Sequence, residues 1–206
     1  MYLFHSKADA LRTRGFTLVE LLVSFAIMTL ISSVVLVRFN GFDSTVLLKS
    51  QAYVIASSIR DAQVYAISSR AGKNSSFRKP YGMSFTPDST NYMFFQYTGS
   101  DPRPSYTSGN FTDIATLLLE KSMKIYAVCE TTGATEKCDL TRLDISFKRP
   151  EFKAYFYAVN ASDVPYTEPN QANITSAKIK VKSDNGTTKW TVSIGLLGQI
   201  TVALDS

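Results

Sequence analysis

The sequence predicts an α+β fold in which a long N-terminal helix packs its second half on an antiparallel β-sheet. Three features of the patterning carry that prediction. Phe16 to Val37 is an apolar run of 22 residues broken by one charge, Glu20. As a helix rising about 1.5 Å per residue it spans roughly 33 Å, the thickness of a membrane core. Leu48, Ala52, Ile55, Ile59, Ala62 and Ala66 recur at three- and four-residue intervals, the stripe of an amphipathic helix. After Pro80 the period changes to two and turn residues punctuate the chain, as strands require.

The N-terminal segment carries most of the functional information. An acid inside a membrane helix costs about 2.5 to 3.5 kcal/mol on insertion scales, so Glu20 needs a partner and a purpose. A cleaved secretory signal fits the basic residues Lys7, Arg12 and Arg14. However, the apolar run exceeds the roughly 7 to 15 residues of a signal core, and no small-x-small site follows at Arg38-Phe39-Asn40. A plain single-pass anchor with its basic end in the cytoplasm fits the charge asymmetry but leaves Glu20 without a role.

The run Gly15-Phe16-Thr17-Leu18-Val19-Glu20 resembles the start of type IV pilins and pseudopilins. That family has a short basic leader ending in Gly, an aromatic first mature residue, Glu at the fifth mature position and a long apolar helix. The resemblance implies a pilin-like fold and removal of residues 1–15 by a prepilin peptidase that cuts between Gly15 and Phe16. It also implies N-methylation of Phe16, a membrane and filament-core helix over 16–39, and a globular domain over 40–206. Glu20 would face an N-terminal amine, its own or a neighbour's, in the apolar core of a filament. A carboxylate and an ammonium buried together offset each other's desolvation, whereas either alone is strongly unfavourable. Pairing between subunits would thereby select the axial register.

On this reading the partners are other copies or other pilins, the prepilin peptidase, an assembly ATPase and a membrane platform. The chain would wait in the cytoplasmic membrane with its N-terminus in the cytoplasm, then enter a cell-surface or periplasmic filament. Two finer alternatives stay open, a minor pseudopilin of a type II secretion system and a DNA-uptake minor pilin. The ending SIGLLGQITVAL is similar to the last strands of the H-type minor pseudopilins and related minor pilins. In their DNA-binding members basic residues follow the final Gly, where this chain has Gln199 and Thr201.

Composition agrees with an anchor plus one ordinary domain. Hydrophobic residues make up 45% and charged ones 19% of 206 residues, which is a globular balance. The net charge of +5 falls to +3 without residues 1–15, an excess too mild to imply a nucleic-acid partner. Cys129 and Cys138 stand nine positions apart. In an exported chain they read as a disulfide closing a small loop, with reduced thiols as the alternative. A zinc site is not expected, since CxxC spacing is lacking and the one histidine, His5, belongs to the leader.

Along the rest of the chain, Asn40-Gly41 is the first helix-weakening pair, and Asp43 or Ser44 is a suitable N-cap for an amphipathic helix over about 43–69. Arg70, Lys73, Arg78 and Lys79 make a basic connector. Tyr81 to Phe85 and Tyr92 to Tyr97 form a hairpin, and Gly99 to Asn110 an exposed loop suited to partner contacts. Strands are expected over 123–129, 143–148, 153–159 and 199–204, and around Asn185-Gly186 a hairpin of 177–183 with 187–194. Lys178, Lys180 and Lys182 alternate with Ile179 and Val181, a lysine row read as protection of an exposed strand edge. No phosphate loop, metal-ligand cluster or catalytic histidine stands in the mature sequence, so neither an enzyme nor a cofactor is expected.

Overall fold

The computed structural model describes residues 15–68, 79–99, 105–106, 110–120, 123–150, 153–160, 173–183, 186 and 188–205, with the backbone alone for 37–44. The leader to Arg14 and most of the basic connector, Arg70 to Arg78, lie outside the described residues. Helix α1 spans Leu18–Ile67. Ten strands follow, β1 Tyr81–Phe85, β2 Asn91–Tyr97, β3 Phe111–Leu118, β4 Lys124–Thr132, β5 Thr135–Lys137, β6 Leu140–Phe147, β7 Ala154–Asn160, β8 Ile174–Lys182, β9 Lys189–Gly195 and β10 Ile200–Leu204. The chain divides into two units, residues 1–42 and 43–206.

In the first unit every side chain from Phe16 to Leu36 is exposed, with Phe16 at 82% and Leu36 at 69%. The backbone stays helical through Asn40 and Gly41, where the sequence suggested a break and a fresh cap. One helical glycine costs about 1 kcal/mol, whereas starting a second helix requires a new and unfavourable nucleus.

In the second unit the striped face behaves as its spacing predicts. Leu48, Ala52, Ile55, Ile59, Ala62 and Ala66 are each 3% exposed or less and join one apolar cluster with strands of both sheets. The strands form two antiparallel five-stranded sheets instead of one, ordered β3-β2-β1-β6-β7 and β10-β9-β8-β4-β5. Three alanines lie on the helix face, and aromatic and branched residues of β1, β6 and β8 complete the cluster. A buried hydroxyl pair, Ser58 Oγ and Tyr92 Oη at 3.0 Å, ties α1 to β2. Burial raises the Tyr92 hydroxyl above its ordinary pKa, so it stays protonated.

The expected hairpin of β1 and β2 is present, with Tyr81 opposite Gln96 and Ser84 opposite Met93. Gly82 is required inside it, because a Cβ there would lie 2.6 Å from the Ile145 carbonyl oxygen and 2.8 Å from the Phe95 ring. Gly186 takes φ 68 in the β8–β9 connection, the left-handed conformation that the Asn-Gly signal predicts, while Asn185 lies outside the described residues.

The departures concern strands. The short β5 is not expected from the sequence, nor is any element between Asn110 and Met123, yet β3 stands there. Phe94 pairs with Ala115 and Phe95 with Asp113, so Ile114 is an extra residue that breaks the alternation of β3 and hides it from a period-two reading. The lysine row lies on β8, which is internal, with β9 on one side and β4 on the other, so it guards no edge. Its charges are compensated by neighbours. Lys178 and Lys180 pair with Glu136, Lys180 also reaches Asp205 at 3.6 Å, and Lys182 sits 5.6 Å above the Tyr126 ring.

Candidate functional site

Thr17 and Glu20 close the first turn of α1 on each other. The Glu20 N–H donates to Thr17 Oγ1 at 3.2 Å, and the Thr17 N–H donates back to Glu20 Oε2 at 3.5 Å. This is a capping box, in which two of the helix's orphan N–H groups are satisfied reciprocally. The Thr-x-x-Glu spacing before an apolar run is its sequence signal, and the expectations above passed over it. Thr17 Oγ1 also reaches Glu20 Oε2, again at 3.5 Å. Contacts this long are weak, so the carboxylate is held loosely and stays available.

Beyond that turn the segment offers no other ionic group. Leu18–Leu36 is long and apolar enough to cross a membrane. Two of its hydroxyls are turned back on the helix, with Ser24 Oγ donating to the Glu20 carbonyl at 2.7 Å and Thr29 Oγ1 to those of Phe25 and Ala26 at 3.0 and 2.9 Å. Hydroxyls satisfied in this way can enter hydrocarbon at little cost, whereas Glu20 is the one charged group of the segment. Gly15 and Phe16 precede the helix with non-helical backbone, and Phe16 is exposed. The structure therefore places Gly15, Phe16 and Glu20 within the three residues before the helix and its first turn. This Gly-Phe pair is exposed and outside the helix, and an amine created at Phe16 would stand one residue from the N–H that already faces Glu20.

Cys129 and Cys138 are bonded, with an S–S distance of 2.03 Å. The bond fastens β4 to the residue after β5 and holds between them Glu136, the acid that pairs with Lys178 and Lys180. A staple of this span is worth about 2 to 3 kcal/mol. Cys129, Glu136 and Cys138 place donor atoms within 4.8 Å of one another, the one such group among the described residues. Both sulfurs are consumed by their bond, so no thiolate is left to ligate a metal.

Nothing in the local sequence pattern marks Asp144 as a buried acid. Asp144 on β6 is fully buried and accepts hydrogen bonds from Ser84 Oγ at 2.7 Å and the Tyr106 N–H at 2.8 Å, with Arg142 Nε at 3.4 Å. Burial pushes its pKa above the ordinary value, and Arg142 and the two hydrogen bonds offset part of that rise. Tyr106 stacks on Phe111 at 3.8 Å and leans on Phe95 at 5.4 Å, and Ser105 beside it is buried. Part of the loop expected to be exposed is thus fastened to the sheet. The remainder of 100–109 lies outside the described residues.

Residues 11–36 match the family described as the prokaryotic N-terminal methylation motif. That stretch contains Gly15, Phe16, Thr17, Glu20 and the apolar helix through Leu36. No curated protein and no solved structure gives a match to the chain.

Proposed function

We propose, for a chain whose residues 11–36 carry the type IV pilin and pseudopilin signature, that it is a structural subunit of a type IV pilus-type filament. The observation carrying this reading is Glu20, the single charge at the head of an exposed apolar helix, facing Thr17 through weak contacts among the described residues. The subunit rests in the membrane through Phe16 to Val37. A prepilin peptidase cuts between Gly15 and Phe16, and the new Phe16 amine is methylated. Glu20 then takes an ammonium partner, its own or that of a neighbouring subunit, as helices gather into a filament core.

Burying the 16 apolar side chains from Phe16 to Val37 among neighbours gains roughly 1.5 to 3 kcal/mol for each large one relative to water. Relative to lipid the gain is close to zero, so extraction needs an energy-driven machine, an assembly ATPase acting through a membrane platform. The role is mechanical and not catalytic. A pseudopilus subunit would use the same chemistry, and long surface filaments in micrographs separate the two. Pairing of Lys178 and Lys180 with Glu136 and Asp205 argues against a DNA-binding face.

Mass spectrometry of the N-terminal peptide from native material tests the reading. A peptide beginning at methylated Phe16 is expected. Residues 1–15 still attached to the mature protein would overturn it.

A further inference from the structure

β10 lies at the rim of its sheet, paired on one side with β9 from Ile200 opposite Ile194 to Leu204 opposite Trp190. The Gly195 N–H donates to the Gln199 carbonyl and the Asp205 N–H to the Lys189 carbonyl, each at 3.0 Å. Antiparallel pairing alternates, so Gln199, Thr201, Ala203 and Asp205 direct their main-chain groups toward β9. Ile200, Val202 and Leu204 direct theirs away from it. The side chains of Ile200 and Val202 pack only partly against the core, and Leu204 is 61% exposed. The strand reads ITVAL, with no charge, proline or register shift to blunt it.

Two other edges are managed. β5 is three residues long, carries Glu136 and Lys137, and is stapled by the disulfide. β7 meets the turn after β9, where the Ala154 N–H donates to the Leu196 carbonyl, and several of its residues have further partners. β3 is the fourth edge, paired with β2 alone. It carries Asp113 and the register shift noted above, but from Ala115 to Leu118 it is uncharged and regularly paired. The Leu119 N–H on the Thr90 carbonyl at 2.8 Å sets Thr116 and Leu118 outward, with Leu118 70% exposed.

We propose that β10 is a docking edge for a neighbouring copy of this chain, which adds its β3 strand there. The idea rests on the filament reading, which sets copies side by side. An unpaired strand edge is satisfied by main-chain groups, which an extended polypeptide supplies in register. Among the described residues the chain carries two different open edges. Joining one to the other is a head-to-tail contact, the class that builds an open helical filament where its rotation does not close. The added strand would also cover Ile200, Val202 and Leu204.

The test uses filaments of the full chain. Val202→Pro removes an outward N–H and no bond to β9, so the subunit should fold and insert normally while filament yield falls about tenfold, the cost of an edge bond. Leu204→Lys should do the same without touching the backbone. Cysteines placed by Leu204→Cys and Leu118→Cys together should be joined between subunits by a bismaleimide, and neither variant alone should be. Unchanged yield in both edge variants, crosslinks from Leu204→Cys alone, crosslinks to another protein or none at all would each overturn the proposal. Glu20→Leu is the control for the parent reading. If filaments survive that change, the filament-core role of Glu20 fails, whatever the edge variants do.

Discussion

The two stretches of α1 obey the same backbone rules and end in opposite environments. From Leu18 to Leu36 the helix is apolar on all sides and every side chain is exposed. From Thr45 to Ile67 one stripe of apolar residues, Leu48 to Ala66, is buried by strands of the same chain, while Val46, Tyr53, Val54 and Val64 stay exposed outside it. A striped helix carries its own cover, whereas one apolar all round must find it in lipid or in other copies. The single acid in the first stretch sharpens the contrast, since a helix that merely anchors has no use for it beyond capping the first turn.

The largest effect should come from Glu20→Leu. Leucine improves the segment as a membrane helix, so insertion and domain folding should be unchanged while filament assembly is lost. Counting filaments in micrographs against subunit abundance on blots measures this. Normal fibre number at equal abundance would mean that the acid is only a passenger.

Ile59→Ala tests the other half of the helix. Ile59 is fully buried against the strands, and large-to-small changes at such sites cost about 2 to 5 kcal/mol. Denaturant unfolding of the full chain in detergent should show that loss, with membrane insertion unaffected. The opposite pattern, impaired insertion with intact stability, would erase the distinction between the two stretches.

Much of this was legible in the sequence wherever one pattern dominates. The apolar run, the stripe from Leu48 to Ala66 and the β8–β9 turn at Gly186 each follow from local spacing and single-residue chemistry. Local patterning could not show that the strands divide into two sheets, because strand order is decided by contacts between distant residues. The lysine row shows the limit well. Alternating Lys and apolar residues reveal a strand with one polar face, but not that β9 and β4 flank it or that Glu136 and Asp205 neutralise it. Asp144 was hidden for the same reason, since Ser84 and Tyr106 stand far from it in the chain. At the N-terminus Gly15, Phe16 and Glu20 were readable, while the bond between Thr17 and Glu20 was written in the spacing and missed.

Asp144→Asn should have a smaller effect that depends on pH. The folded pKa of Asp144 is raised from 3.8, so between the two values the folded chain holds a proton that the unfolded chain has released. Stability therefore falls as pH rises through that window, and the loss persists at neutrality. Asparagine cannot ionise, yet it keeps an oxygen for the Tyr106 N–H and an amide for Ser84. Arg142 is partly exposed and can turn its charge to water. Melting curves in detergent should show the variant gaining on the parent by a few degrees from acid to neutral pH. A parallel pH dependence would mean that Asp144 does not set it.

The smallest effect should follow Thr17→Ala, and it separates two roles of Glu20. If the acid mattered chiefly as half of a capping box, removing either half would do equal harm. Loss of Thr17 Oγ1 deprives the Glu20 N–H of its acceptor and should cost about 0.5 to 1 kcal/mol of helix stability, seen as faster hydrogen exchange at the Glu20 amide. The carboxylate remains, free to meet an ammonium, so filament number should fall far less than in Glu20→Leu. Equal losses in the two variants would assign Glu20 to helix capping and remove the argument for a charge partner across subunits.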